Sequence, residues 1–132
     1  MDDVERVREY WEQVWSQGHT DVLAHFYAPS YRENDDVLTP EMFADHVTRW
    51  RAKFTGFRAD VDRVWTVPGA VVSRVHYTGT HTGDLQQLPA TGRTFRLSGL
   101  DVFEFQDGRV VQHWHETDHW NLFEELGYFE NR

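Results

Sequence analysis

Apolar residues follow a helical pattern over the first third of the chain. Between residues 2 and 17 they recur every three or four positions, at Val4, Val7, Trp11, Val14 and Trp15. This spacing predicts a first helix, with Gly18 as its C-cap. A short second helix is predicted from residue 20 or 21 to the residue before Pro29, and residues 31–36 are predicted to form a loop. The Thr39-Pro40-Glu41 sequence has the capping residue, proline and acidic first turn of a third helix.

After Gly56 the pattern changes to that of strands. Residues 57–67 and 70–81 flank Pro68-Gly69 and are predicted to form a hairpin. Residues 82–94 form a predicted loop, long enough to cover the mouth of a cavity. A second hairpin is predicted over residues 97–118, with a type I′ turn at Asp107-Gly108, and a last helix over residues 119–126.

These elements predict one domain, residues 1–132, of the α+β class. A cone-shaped, curved antiparallel sheet would be covered on one face by the three N-terminal helices, and a short C-terminal helix would follow the sheet. The space between helices and sheet is the expected place for a pocket.

The last predicted hairpin places three carboxylates among aromatic side chains. If Asp107 and Gly108 are the two loop residues, Asp101 faces Trp114 and Leu97 faces Asp118. One face then carries Leu97, Gly99, Asp101, Phe103, Phe105, Val110, Gln112, Trp114, Glu116 and Asp118. Because a buried, unpaired carboxylate is costly, this face is predicted to be the wall of a ligand cavity, with space left at Gly99.

The opposite face of the same hairpin carries apolar residues and histidines. Leu100, Val102 and Val111 predict an apolar patch through which two copies would form a homodimer. His113 and His115 lie on this face as well, so they cannot converge with Asp118 unless the strand contains a bulge. No metal site is therefore expected.

Composition excludes several classes of partner. The chain has 13 basic and 22 acidic residues, a formal charge of −9, and no basic cluster, so neither nucleic acid nor an anionic membrane is an expected partner. It has no cysteine, hence no disulfide and no thiol nucleophile. No targeting signal or membrane-length apolar run is evident, and a cytoplasmic location is expected. Nine Phe, six Trp and five Tyr favour a pocket for an apolar or aromatic ligand.

Asp118 and Asp101 are the predicted catalytic residues. Apolar neighbours would raise the pKa of Asp118 into a useful range for an acid/base. The structural alternative is that Asp118 only caps the last helix; both hold if one oxygen caps while the other faces the cavity. A structure with Asp118 directed away from any cavity, or with the hairpin shifted by one residue, would remove the basis for this site.

Further residues are candidates for binding the substrate. Asn34 is either a ligand donor or an ordinary turn residue. His81 is expected to fix the loop that follows it or to contact the substrate. The predicted set is Trp15, Asn34, Trp65, His81, Phe103, Trp114 and Glu116.

Several short segments resemble one known family. They are Val14-Trp15-Ser16-Gln17-Gly18, Tyr27-Ala28-Pro29-Ser30-Tyr31, Gly79-Thr80-His81-Thr82-Gly83, and a run from Gly99-Leu100-Asp101-Val102-Phe103 through Asp107-Gly108 and His113-Trp114 to Asp118, Leu122 and Leu126-Gly127. In order and spacing the chain resembles the SnoaL-like polyketide cyclases (ester cyclases) of the nuclear transport factor 2-like superfamily.

The resemblance implies a cone-shaped α+β barrel that dimerises through its sheet. It also matches Asp118 to the acid/base aspartate of the antibiotic-pathway cyclases. Asp101 stands where those cyclases have a pocket histidine. Because this position belongs to the pocket, the difference bears on which substrate the chain accepts.

The predicted function is that of a cofactor-independent cyclase or isomerase acting on an apolar or aromatic, carbonyl-bearing small molecule. Asp118 would transfer a proton next to the carbonyl. One alternative is an epoxide hydrolase or dehydratase, for which Arg74 is the candidate arginine between two acids. Another is a non-catalytic small-molecule binding domain.

Overall fold

A curved six-stranded sheet with the strand order β2-β1-β6-β5-β4-β3 forms the body of the protein. The structure is a computed structural model that describes residues 1–130. Its strands are β1 (Tyr27–Glu33), β2 (Asp36–Leu38), β3 (Phe54–Val67), β4 (Ala70–His81), β5 (Thr94–Gln106) and β6 (Arg109–Thr117). All neighbouring pairs are antiparallel except β1 and β6, which are parallel.

Helices precede and interrupt the strands. They are α1 (Asp3–Tyr10), continued by a π-helical turn (Trp11–Ser16), a 3₁₀ turn (Thr20–Val22) that leads into α2 (Leu23–Phe26), α3 (Pro40–Arg51) and α4 (His119–Glu125). Thr39 caps α3 by accepting a hydrogen bond from the Met42 backbone N–H at 3.3 Å, as its sequence predicts. No helix within residues 1–130 is long and apolar enough to cross a membrane.

The core lies between the helices and the concave face of the sheet. Val7 and Val14 on the N-terminal helix are fully buried against inward-facing Val75 and Phe103 of the sheet. The predicted α+β class is therefore confirmed, with the helices at the N-terminus and a short helix at the C-terminus.

Residues 31–36 differ from the predicted loop. Tyr31 and Glu33 are buried while Arg32 is exposed, an alternation with period two that is typical of a half-buried strand. Residues up to Glu33 belong to β1, and the chain turns at Asn34, whose φ is 53°. The prediction was wrong because the charged residues of this segment concealed its two buried positions.

The last hairpin has the predicted turn but a different register. Asp107 and Gly108 both have positive φ, 53° and 79°, as a type I′ turn requires. Phe105 pairs with Val110, but Glu104 pairs with Gln112, so Val111 is an extra residue in β6. Such a β-bulge reverses the side on which every later residue of the strand points.

The bulge inverts the predicted faces of β6. Asp101 pairs with His115, and Val102 pairs with Trp114. On β5 the inward positions are as predicted, since Asp101 and Phe103 are buried. On β6, however, His113 is buried and Trp114 is 41% exposed. The predicted pairing of Asp101 with Trp114, and of Leu97 with Asp118, is therefore wrong.

Candidate active site

A cavity of about 210 Å³ lies between the N-terminal helices and the concave face of the sheet. Half of the residues in its wall are Phe, Trp or Tyr, namely Tyr10, Trp11, Trp15, Phe43, Trp50, Phe57, Tyr77 and Phe95. Its ionisable side chains come mainly from three adjacent strands: Glu33 on β1, Asp101 on β5, and His113 and His115 on β6. An apolar cavity with a few converging polar groups is the usual form of a small-molecule site.

Asp101 and His113 form a buried ion pair in the cavity wall. The Nε2–H of His113 donates to Oδ2 of Asp101 at 2.5 Å, and each residue is 2% exposed. The other carboxylate oxygen, Oδ1 of Asp101, is buried and has no hydrogen-bond partner within the described protein. One oxygen of this carboxylate is thus held by the protein, while the other can bind a ligand.

The second nitrogen of His113 is held from the opposite side. Nδ1 lies 2.8 Å from the Tyr27 hydroxyl and 3.1 Å from Oε1 of Glu33. Tyr27 donates its own proton to the Tyr10 hydroxyl at 3.2 Å, so it accepts from Nδ1–H of His113. Both nitrogens of His113 are therefore donors, which means that the ring is an imidazolium.

Burial, hydrogen bonds and neighbouring charges shift the pKa values of His113 and Asp101. Burial lowers the pKa of His113, but its hydrogen bonds to Asp101 and Glu33, together with their negative charge, outweigh burial and raise that pKa to about 9. Burial also raises the pKa of Asp101 above its ordinary value of 3.8, and the hydrogen bond and positive charge of His113 offset only part of this increase. Asp101 is therefore a stronger proton acceptor than an exposed carboxylate.

His115 is the cross-strand partner of Asp101 and also lines the cavity. Its side chain is 37% exposed, and its Nε2 lies 3.6 Å from Oε2 of Glu33. Its backbone N–H donates to Oδ1 of Asn34 at 3.0 Å. Burial lowers the pKa values of two further lining histidines, His46 and His119.

The structure brings only two of the sequence-predicted site residues to this cavity, Asp101 and Trp15. Phe103 is fully buried in the core, and Trp65 is 42% exposed. His81 is buried, with Nδ1 3.0 Å from the Thr91 hydroxyl, so it fixes the loop that follows β4.

The remaining predicted binding residues, Trp114, Glu116 and Asn34, lie outside the cavity wall. Trp114 and Glu116 lie on the outer face of β6, where the Trp114 indole donates to Glu104 at 2.7 Å. Asn34 uses its side chain for the backbone of His115, and its carbonyl oxygen accepts from the Gln112 amide at 2.9 Å. It joins β1 to β6.

Asp118 caps α4 instead of lining the cavity. Its side chain is exposed and accepts a hydrogen bond from the Asn121 backbone N–H at 3.1 Å, as the structural alternative predicts. With the hairpin shifted by one residue, the geometric basis for Asp118 as the acid/base is removed.

Glu33, His113 and His115 are among the cavity residues that the sequence pattern does not predict. The residue pattern predicts a loop at Glu33 and the outer face for the two histidines, because no local signal marks Val111 as a bulge. Within residues 1–130, no group of three or more His, Asp or Glu is arranged to hold a metal ion.

Comparison with known proteins shows the family to which this chain belongs. A family model described as SnoaL-like polyketide cyclase matches residues 5–126. The aklanonic acid methyl ester cyclases DauD of Streptomyces sp. (strain C5) and DnrD of Streptomyces peucetius are each 26% identical to this chain over 123 residues. These alignments cover 87% of this chain, 76% of DauD and 84% of DnrD.

A solved structure has the same fold over nearly the whole chain. TsrD from Streptomyces laurentii superposes with a TM-score of 0.86 and 26% identity, covering 96% of this chain and 98% of TsrD. The family match extends from α1 into the end of α4 and so includes every strand of the cavity wall. The chain belongs to the SnoaL-like polyketide cyclase family and is an enzyme of the cyclase type.

Proposed function

We propose that the protein closes or isomerises a carbonyl-bearing small molecule by acid–base catalysis, with Asp101 as the base and His115 as the acid. The observation that carries this proposal is the buried Oδ1 of Asp101, which belongs to a residue of the cavity wall and has no hydrogen-bond partner among residues 1–130. His115, on the neighbouring strand, supplies a second proton-transfer group beside it.

The proposed reaction consists of two proton transfers and one bond formation. Asp101 accepts a proton from the carbon next to a carbonyl group, which leaves an enolate. The enolate carbon attacks a second carbonyl carbon, and His115 donates a proton to the oxygen that becomes negative. Asp101 then loses its proton and His115 regains one, so the enzyme returns to its first state and the substrate is isomerised to a ring.

Neighbouring groups hold the two residues in position. The imidazolium of His113 fixes Oδ2 of Asp101, which directs the lone pairs of Oδ1 to the ligand. Glu33 lies beside both His113 and His115, and its negative charge favours the protonated form of His113. The reaction involves no electron transfer, so we propose that it proceeds without a cofactor.

Arg74, the arginine required by the epoxide hydrolase alternative, does not line the cavity. Arg74 donates to Asp62 at 2.8 Å and lies 3.1 Å from His76. Its cross-strand partner Leu100 is 49% exposed, which places this row on the outer face of the sheet. No observation therefore favours this alternative over the acid–base reaction.

We also propose that two copies of the protein form a homodimer through the outer face of the sheet. Trp65, Val72, Val102 and Trp114 pair in sequence across β3, β4, β5 and β6. We call these four residues the outer stripe. Both tryptophans are more than 40% exposed, and a second copy that packs on the outer stripe would bury them.

Proton abstraction can be tested before the natural substrate is known. With α-tetralone, a bicyclic ketone, in D₂O, wild-type protein should speed deuterium incorporation next to the carbonyl, as followed by NMR. Asp101→Asn should reduce the protein-dependent rate on the order of 10²–10⁴-fold, because the amide cannot accept the proton. His19→Gln changes an exposed histidine outside the cavity wall and serves as the control. Equal rates for wild type and Asp101→Asn would reject the proposal.

A further inference from the structure

We propose that the substrate carries a carboxylate and that Arg49 and Lys53 bind it at the mouth of the cavity. This deepens the proposed function and rests on it, because the carbonyl end of the ligand is taken to lie against Asp101. It adds the charge of the substrate and the two residues that recognise this charge.

The exposure of the lining residues shows where the cavity opens. On α3, His46 is exposed and Trp50 is half-buried. At the junction of β6 and α4, Thr117 is half-buried and His119 is exposed. The ring centroids of Trp50 and His119 lie 6.1 Å apart, so the two sides face each other. We call the opening between α3 and this junction the mouth.

Two cations lie beside the lining residues of α3. Arg49 and Trp50 follow His46 by three and four positions, so the three residues share one face of the helix. Lys53 lies in the turn after α3. Burial lowers the pKa of His46, and the positive charges of Arg49 and Lys53 lower it further. Both cations are therefore close enough to act on a residue of the cavity wall.

The protein itself does not neutralise either cation. Within residues 1–130, neither Arg49 nor Lys53 forms an ion pair or a side-chain hydrogen bond. Arg51 of the same helix differs, because its guanidinium donates to the carbonyl oxygens of Trp15 and Ser16 at 2.8 and 3.1 Å. The α3 side of the mouth is therefore positive, although the chain as a whole has a formal charge of −9.

The inner end of the cavity has the opposite balance of charge. Glu33 and Asp101 place two carboxylates there, beside the single imidazolium of His113. On the other side of the mouth, the Asp118 side chain is used to cap α4. A ligand with a ketone and a carboxylate is therefore oriented with its carboxylate at the α3 side of the mouth and its ketone inward. Proton abstraction by Asp101 requires this orientation.

A structural role for the cations makes a different prediction. Positive residues near a helix C-terminus stabilise the helix dipole, and Arg49 lies in the last turn of α3. Replacing it would then lower stability and would affect neutral and anionic ligands alike. A role in recognition affects only the anionic ligand, so two ligands that differ only in charge separate the two roles.

γ-Benzoylbutyrate, a phenyl ketone whose alkyl chain ends in a carboxylate, and its methyl ester form such a pair. Titration calorimetry at low salt would give the dissociation constant of each. An exposed ion pair changes an affinity by up to about fivefold, so wild-type protein, with two cations, should bind the acid about five- to twentyfold more tightly than the ester. Arg49→Gln/Lys53→Gln should abolish this preference, and each single variant should reduce it. Arg8→Gln changes an exposed arginine in the last turn of α1 and serves as the control, with the preference retained.

The outcomes separate this inference from the proposed function. Equal or tighter binding of the ester by wild type, absence of binding by both ligands, or an unchanged preference in the double variant would overturn the inference. Equal weakening of both ligands in the double variant would assign the cations to the stability of α3 and would overturn it as well. Asp101→Asn should keep the preference for the acid while losing deuterium exchange next to the ketone. A preference for the acid with no exchange in wild type would reject the proposed function and leave the carboxylate site intact.

Discussion

At the scale of single residues, the buried imidazolium of His113 makes stability depend on pH. Its pKa rises from 6.5 to about 9 on folding, so the folded protein holds this proton more tightly than the unfolded chain. The contribution of this group to the free energy of unfolding is full below about pH 6.5 and is lost as the pH rises through about 9.

The urea concentration at the midpoint of unfolding of the wild-type protein should therefore decrease as the pH is raised from 6.5 to 9. In His113→Gln this fall should be absent, because the titrating group has been removed. His25→Gln, which changes an exposed histidine, should behave as wild type. A wild-type midpoint that does not change over this range would contradict an imidazolium at position 113.

Asp118 is expected to affect stability rather than chemistry. Asp118→Ala removes the acceptor for the Asn121 N–H, and loss of such a cap costs about 1 kcal/mol. Asp118→Asn keeps a good capping side chain and should unfold close to wild type. Urea unfolding measures both variants, and a loss of several kcal/mol in Asp118→Asn would show that the carboxylate has a further role.

At the scale of elements, the helices, the two hairpins and the turn at Asp107-Gly108 follow from local sequence. Helical spacing of apolar residues and the cap at Thr39 depend only on near neighbours. The bulge at Val111 depends on how β6 meets both β5 and β1, which no single segment specifies. That one residue decides whether His113 or Trp114 faces the cavity. The inward direction predicted for Asp101 and Phe103 on β5 matches the structure, whereas the inward direction predicted for Trp114 on β6 does not.

The junction of β1 with β6 depends on Asn34. Its φ of 53° disfavours most side chains, and its Oδ1 accepts from the His115 N–H. Asn34→Ala should lower the free energy of unfolding by about 1–3 kcal/mol, from the strained backbone and the lost hydrogen bond. Asn34→Asp keeps the acceptor and the tolerance of positive φ and should cost less. Equal losses for the two variants, measured by urea unfolding, would show that the acceptor is unimportant.

At the scale of the whole molecule, the outer stripe is the surface that a homodimer would cover. Val102 lies at its centre, between Val72 and Trp114. Val102→Glu should give a monomer in light scattering, because a charge would be desolvated in the interface. Thr78→Glu adds the same charge on an outward-facing position of β4 outside the outer stripe and should remain dimeric. A monomeric wild type, or a dimeric Val102→Glu, would reject this interface.

The proposed function depends on proton transfer at Asp101 and not at Asp118. The most direct test compares deuterium incorporation into α-tetralone by Asp101→Asn and Asp118→Asn under identical conditions. Asp101→Asn should lower the protein-dependent rate on the order of 10²–10⁴-fold, while Asp118→Asn should remain within about twofold of wild type, because a helix cap takes no part in the reaction. A rate that falls with Asp118→Asn and persists with Asp101→Asn would place the proton transfer at Asp118 instead.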